Sequence, residues 1–400
     1  MLPTRAKLRS ALLKTVLLLL GITTALALIE VMLRFSNPFQ TRLRGDQIIL
    51  LKNKTIRIKN NTFKRLDPAI TVTLNSLGFR GVEPPADFGR YLTIITIGGS
   101  TTYCWMLSDG KTWPAELGNQ LGETFQGVWI NNAGLMGNST FAHIALLKEV
   151  VSKLHPKVVL FLVGVNDLAA ERAPELDSEN LRGRIIFSSP KAFVLSISAY
   201  SEVVGLGVNL YHNYVAYRFG LIQRNPDLTK VGHLAVPREL EEAYVARSTA
   251  PYIQSYETRL KRLIDISREA GIEPVFITQP LLVGPAVDDR TKVDLAALKI
   301  VKRDGTVNGE MWWESLEVYN DVTRRVGHEK NVLVIDLARQ MPKSSRYFFD
   351  YVHYTNEGAQ VVAHIVYRSL CPMLANRFPQ YVKQGCVEIR DDEPQIIRKE

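Results

Sequence analysis

Three cysteines in 400 residues are too few for a disulfide-built scaffold. With no second Cys or His at ligand spacing they are also too few for a structural zinc site, so the core must be hydrophobic. The chain lacks internal repeats and low-complexity tracts. With 46% apolar and 22% charged residues, 26 Gly and 19 Pro, it is neither a disordered chain, a collagen nor a long coiled coil. Past residue 90 it also lacks net charge. Residues 91 to 400 carry 34 Lys+Arg against 35 Asp+Glu, whereas the first 90 carry 15 against 5. The overall charge of +9 is therefore a property of the N-terminal region. It gives no reason to expect nucleic acid as a partner, and a basic membrane-proximal segment attracted to anionic lipid explains it better.

Charge is missing again between Thr15 and Ile29, after Arg5, Lys7, Arg9 and Lys14. The apolar character resumes at Val31 to Leu33 after a single Glu30. Val16 to Leu33 spans about 27 Å as a helix, close to the thickness of a bilayer core. Glu30 and Arg34 stand one helical turn apart and can pair at the boundary. Residues 1–35 thus read as a basic tail and an uncleaved signal-anchor helix, a single pass through the inner or plasma membrane. The rival is a cleaved signal peptide, because Ala25-Leu26-Ala27 has the small-x-small form of a cleavage site, though the apolar run continues past it. Arg34, Arg42, Arg44 and Lys52 nearly balance the basic residues in front, so the charge rule does not fix orientation. The short basic n-region favours export of the body to a periplasmic or extracellular compartment. So does the nearness of Cys371 to Cys386, which either close a small loop under oxidising conditions or stay free thiols. Cys104 is left over.

Residues 36–74 are polar and basic and read as a linker or lead-in, and Asn75 to Gly81 (NSLGFRG) introduces a folded body over 75–400. There β-branched runs at Leu92 to Ile97, Val128 to Asn131, Val158 to Val163, Pro274 to Thr278 and Val332 to Ile335 alternate with amphipathic stretches. Helices are expected at Thr112 to Leu121, Phe141 to Leu154, Ile253 to Glu269, Glu310 to Arg325 and Glu357 to Leu370. Five such repeats predict an α/β fold, a parallel sheet covered by helices on both faces, with reactive groups on loops at the carboxyl ends of the strands. Residues 171–250 interrupt the alternation with aromatic and polar residues of no strong period. They read as an insertion: a lid, a substrate flap, a membrane-touching surface or a helical excursion.

Three strand ends carry residues suited to acyl transfer. GGST at 98 to 101 presents Ser100 at a helix start, where a hydroxyl can be a nucleophile with its own backbone N–H aimed at the developing oxyanion. NAGLMGNST at 132 to 140 offers a second glycine-bearing loop. GVND at 164 to 167 places Asn166, an uncharged N–H donor, at a third strand end. Near the C-terminus, DYVH at 350 to 353 puts Asp350 three residues before His353, so the carboxylate can accept the Nδ1 proton and leave Nε2 as base. Each loop alone reads as a turn; all four in this order form a constellation.

Over about residues 75 to 370 the chain resembles the SGNH or GDSL hydrolase superfamily. The four blocks fall at Ser100, Gly137, Asn166 and Asp350 with His353. WPAELGNQL at 113 to 121 and HPKVVLFLVG at 155 to 164 agree further. The resemblance implies a three-layer αβα, flavodoxin-like sandwich on a central five-stranded parallel sheet. It implies Ser100, His353 and Asp350 as a catalytic triad, and the Ser100 and Gly137 N–H groups with the Asn166 side chain as the oxyanion hole. Gly137 is preferred to Gly134 by its position in the family's second block, which the residues alone do not settle. One departure stands out: the family's usual Asp between Gly and Ser is Gly99 here. No metal or organic cofactor is implied.

The expected activity is serine-dependent hydrolysis of an ester-bearing substrate, with acetyl-like groups removed from cell-envelope carbohydrate. The competing readings are an O-acyltransferase on envelope polysaccharide, a lipase or lysophospholipase, and a non-catalytic binding protein that keeps the fold. Trp105, Met106, Leu135, Asn138 and Tyr354 are candidates to line an acyl pocket. The sequence is silent on oligomeric state.

Overall fold

The computed structural model of the protein describes residues 5–35, 42–44, 47–170, 185, 187, 189–198, 200–218, 226–302 and 305–386. They form two compact units: residues 1–49 with 175–221, and residues 50–174 with 222–400.

Along the chain, helix α1 (Arg5–Phe35) precedes a hairpin of β1 (Lys54–Lys59) and β2 (Ala69–Leu74). Strand β3 (Leu92–Gly98) leads into the one-turn helix α2 (Ser100–Tyr103), followed by α3 (Trp113–Thr124), β4 (Val128–Asn132) and α4 (Thr140–Leu146). Next come β5 (Val158–Val163) and α5 (Val165–Ala170), then α6 (Pro190–Ser198), α7 (Glu202–Arg218) and α8 (Arg238–Glu269). The chain closes with β6 (Glu273–Thr278), α9 (Gly309–Lys330), β7 (Val334–Ile335) and α10 (Asn356–Arg377).

The second unit is built on a five-stranded parallel sheet in the order β7-β6-β5-β3-β4. Strands β3 and β5 are buried along their whole length, which matches their continuous β-branched and aliphatic runs. Helices α3 and α10 pack together, as do α4, α8 and α9, giving the two helix layers of an α/β sandwich. Trp113, Tyr256, Phe161, Phe276, Tyr319 and Tyr367 fill the core. Strand β4 lies on one side of β3 and β5 on the other, so the order reverses at β3. The crevice at such a reversal is where doubly wound sheets place their ligands, and Ser100 is two residues past the end of β3.

Caps follow the local sequence. Thr112 accepts from the Ala115 N–H ahead of Pro114, Asn308 accepts from Met311, and Thr355 of the TNEG segment accepts from Gly358. Cys371 and Cys386 are joined as a disulfide, while Cys104 is buried and reduced.

Three boundaries differ from the sequence reading. Residues 54 to 74, expected within a linker, form the β1–β2 hairpin. Alternation in AITVTL puts Ile70, Val72 and Leu74 on one buried face. The basic character of this stretch comes from the exposed Lys54, Arg57 and Lys59 of β1. Arg80 then joins hairpin to sheet, bridging Leu74 on one side and Asn132 on the other. The insertion expected to end near 250 ends earlier, because α8 begins at Arg238 and buries Glu241 and Thr249. The last strand shortens to Val334–Ile335, because the Val332 N–H bonds to Gly327 O at the end of α9.

A buried ion pair ties three of these elements together. Asp167 of α5 accepts from the Thr140 N–H and hydroxyl at the start of α4, and from Arg259 of α8 at 3.4 Å. Arg259 also donates through Nε to Thr140 Oγ1 at 2.7 Å and lies over the Phe141 ring at 3.8 Å. Burial pushes the Asp167 carboxyl up, opposed by Arg259 and the Thr140 donors. Arg259→Ala leaves that carboxylate buried without its cation. It is expected to lower the unfolding free energy by about 3–5 kcal/mol, read by chemical denaturation. Replacing Asp167 by Asn in the same chain should recover part of the loss.

Candidate active site

The turn after β3 is shaped by two glycines without room for side chains. A Cβ on Gly98 would stand 2.1 Å from Thr102 Oγ1 and 3.0 Å from Leu162 O, and one on Gly99 would stand 2.1 Å from the Asn166 amide nitrogen. The absence of an acidic side chain at 99 thus has a local cause, because Asn166 occupies that space. Ser100 opens α2, whose Gly99 and Ser100 carbonyls accept from Tyr103 and Cys104. The helix stops at Cys104, which has φ +52°.

Arg80, almost fully buried, braces the far end of this turn. It donates to the carbonyls of Tyr103, Cys104 and Leu107 and pairs with Asp109 at 3.0 Å. Sequence reasoning treats NSLGFRG only as the lead into the body. Its arginine is instead the donor set that satisfies the C-terminal carbonyls of the serine turn.

His353 Nε2 is 2.8 Å from Ser100 Oγ, and His353 Nδ1 is 2.7 Å from Asp350 Oδ2. The other carboxylate oxygen, Asp350 Oδ1, accepts from the Val352 and His353 N–H groups at 2.8 and 2.7 Å, which locks the DYVH turn. Phe349 lies parallel to the imidazole with ring centroids 5.7 Å apart, and Phe63 packs edge-on against Phe349. Arg65 donates to the Ser345 and Phe348 carbonyls. Residues 63 and 65 belong to the stretch expected to be linker, and they hold the histidine loop.

The structure also brings the second and third blocks beside the serine turn. Asn166 Nδ2 donates to Asn138 O at 2.9 Å, leaving its second amide hydrogen for another acceptor. Gly134 and Gly137 now differ physically. The Gly134 N–H is taken by Asn132 Oδ1, and a Cβ there would stand 2.5 Å from the Tyr103 nitrogen. Gly137 has φ +74° and open space around it, and among the described residues no hydrogen bond uses its N–H.

A narrow cavity of about 10 Å³ adjoins the pair, lined by Ser100, Cys104, Trp105, Met106, His353 and Tyr354 among others. Leu135 and Asn138, two of the five pocket candidates, do not line it. Burial pushes the Cys104 thiol up to about 12, so it is a neutral wall of this cavity. Beneath it, Thr101 Oγ1 donates to Gln279 Oε1 at the end of β6, a contact that no sequence spacing announced. Among the described residues no group of three His, Cys, Asp or Glu is placed to hold a metal ion.

A doubly wound α/β sheet with serine, histidine and carboxylate in hydrogen-bond contact at its topological reversal has the arrangement of a serine hydrolase. The sequence profile of the GDSL-like lipase/acylhydrolase family matches residues 96–361, and the chain belongs to that family. No curated protein matches the sequence. Among solved structures it is similar to a catalytic mutant of Axe2, an acetylxylan esterase from Geobacillus stearothermophilus. Identity is 14%, the TM-score 0.39, and 69% of this chain and 93% of that one are covered. It is similar also to LAE5, an α/β hydrolase enzyme from the metagenome of Lake Arreo, Spain, at 15% identity and TM-score 0.38, covering 70% and 96%. A third is TesA, at 12% and 0.39, covering 70% and 99%.

His143 of α4 is buried and faces the backbone of Gly98 in the serine turn and of Asn138 in the second glycine-bearing loop. Burial pushes its imidazole down to about 4, so it is neutral at pH 7. Between pH 6.5 and 4 the unfolded chain binds a proton at this histidine that the folded chain does not. Stability is therefore expected to fall with pH across that window, by up to about 3 kcal/mol at its acid end. Thermal unfolding of the wild type and His143→Gln at pH 7.5 and 4.5 checks this. The variant should show the smaller drop.

Proposed function

We propose that this protein is a membrane-anchored serine esterase that removes small acyl groups, acetyl foremost, from cell-envelope carbohydrate. The observation that carries the reading is the Ser100–His353–Asp350 hydrogen-bond chain at 2.8 and 2.7 Å. Ser100 attacks the ester carbonyl while His353 Nε2 takes its proton, and the same nitrogen returns that proton to the leaving alcohol. Asp350 keeps the proton on Nδ1 and stabilises the imidazolium. The Ser100 and Gly137 N–H groups and the free amide hydrogen of Asn166 receive the oxyanion. Water then resolves the acyl-enzyme, with His353 as base again.

The size of the cavity favours a short acyl group. About 10 Å³ is room for roughly one water-sized group, enough for the methyl of an acetyl ester, whereas a long chain would have to displace Trp105 or Met106. Helix α1 supports the membrane anchor, because its 24-residue stretch Leu12–Phe35 is strongly apolar apart from Lys14, Glu30 and Arg34, and only 6% of its most apolar part is buried. The Cys371–Cys386 disulfide supports export of the catalytic body to an oxidising compartment. An anchored enzyme facing the envelope, with a body of near-zero net charge, suits a polysaccharide substrate better than nucleic acid.

Hydrolysis of p-nitrophenyl acetate, butyrate and octanoate tests the reading. Wild-type turnover should favour acetate, and Ser100→Ala should lose about 10³-fold or more. Octanoate preference would move the assignment to lipid, and equal rates in folded wild type and Ser100→Ala would remove the nucleophile. Acetate release from acetylated envelope polysaccharide tests the substrate class. Gly99→Ala probes the oxyanion side separately. The new methyl collides with the movable end of Asn166 at 2.1 Å and stands 3.3 Å from the Asn138 carbonyl, so the amide must turn aside at a modest cost in thermal stability. Turnover should nevertheless fall about 10²- to 10³-fold as that amide turns away.

A further inference from the structure

The first unit holds a contact that the esterase reading leaves unexplained. The carboxylate of Glu30, near the end of α1, accepts from the Glu202 and Val203 N–H groups, both at 3.1 Å, and from the Ser201 hydroxyl at 2.9 Å. Arg34 completes the cluster, donating to Glu30 at 2.9 Å and to the Tyr200 carbonyl at 2.8 Å. A side chain of one helix thereby caps the N-terminus of another, satisfying orphan N–H groups and setting negative charge against the positive end of the α7 dipole. Glu30 lies 18 residues, about 27 Å of helix, beyond Leu12, which places the cap at the boundary of a bilayer that α1 crosses.

The helices held by this cap carry little charge. Between Lys191 and Arg218 the only formally charged residue is Glu202, and four of the 26 intervening residues are tyrosines. Their large side chains are not all covered: Val194 is 44% exposed, Leu210 57% and Tyr214 61%, and Phe187 just ahead of α6 is 78% exposed. Leu210 and Tyr214 stand one turn apart and share a face of α7. This is not a second spanning helix, since α1 alone among the described residues is long and apolar enough to cross a membrane. The insertion also leaves and re-enters the same catalytic unit, so it stays on one side of a bilayer. Apolar and tyrosine-rich helices of modest hydropathy, flanked by basic residues and fixed to a membrane helix at its boundary, have the character of interfacial elements.

We propose that the α6–α7 pair lies in the interfacial zone of the lipid bilayer beside α1, with Glu30 as the clamp. The inference rests on the reading of α1 as membrane-spanning. Continuity with that helix selects lipid over a protein partner as the occupant of the exposed face.

The test places single cysteines at Leu210, Tyr214 and, as a depth control, Leu18. Each is labelled with an environment-sensitive NBD fluorophore in full-length protein reconstituted into phosphatidylethanolamine/phosphatidylglycerol 3:1 vesicles. The native thiols do not interfere, Cys104 being buried and the other two disulfide-bonded. Labels at 210 and 214 should shift to the blue and be quenched at least twofold by lipids carrying a doxyl group near the headgroup. Glu30→Ala should remove at least half of that quenching at 214 while leaving 18 unchanged. A label at 18 quenched by deep doxyl lipids, with 210 and 214 remaining water-like, overturns the inference while the anchor stands and leaves the face to a protein partner. No quenching at 18 overturns the anchor reading, and this inference with it. Unchanged helical content by far-ultraviolet circular dichroism shows that the first unit of each variant is folded, and unchanged p-nitrophenyl acetate turnover that the second is.

Discussion

The pairing of Asp167 with Arg259 is the constraint on which the placement of the loops beside Ser100 depends. Asp167 follows Asn166 directly, so whatever fixes the carboxylate also fixes the amide. The carboxylate is held from below by an arginine of α8 and from the side by both donors of Thr140, the first residue of the helix that follows the Asn138 loop. One buried charge thus sets the relative position of two loops that approach the serine turn. Burying a pair of charges brings little net stability against a well-packed apolar substitute. What it provides here is position, since an aliphatic cluster would tolerate slippage that directed hydrogen bonds do not.

A second layer of support comes from outside the sheet. Arg80 spends its guanidinium on three carbonyls just past α2, while Phe63 and Arg65 hold the loop of His353. Both sets of contacts come from residues ahead of β3, so the N-terminal hairpin belongs to the working parts of the site rather than to the tether. The serine is supported on one side and the histidine on the other by the same 18-residue stretch, Phe63 to Arg80.

Much of the fold was legible because its signals are local. The all-buried strands β3 and β5 read directly as β-branched runs, and the TNEG and WPAEL helix starts carry their caps in the sequence. The hairpin was not legible, because the exposed lysines of β1 masked the alternation of β2, and a polar average looks like a linker. The extension of α8 back to Arg238 was hidden by Pro251 within the helix and by its many charged residues. At the site, the DYVH spacing brought His353 against Asp350 because three residues close one turn. No local pattern could announce that Arg259 would reach Asp167 across 92 positions or that Gln279 would meet Thr101. Those pairings exist only once strands far apart in sequence are neighbours. The choice between Gly134 and Gly137 likewise needed the fold, because it turns on which N–H is already spent.

The order of segments along the chain has a consequence for biogenesis. Helix α1 and the helix pair it clamps are complete by residue 218, before β6, β7 and α10 have been synthesised. The sheet at that stage has only three of its five strands, and the imidazole that pairs with Ser100 lies some 250 residues downstream of it. A nascent chain can therefore settle its first unit early, while Ser100 remains without its imidazole partner until almost the whole body has emerged. Assembled in this order, the Ser100–His353–Asp350 contact is among the last features of the body to form, close to the docking of the last long helix.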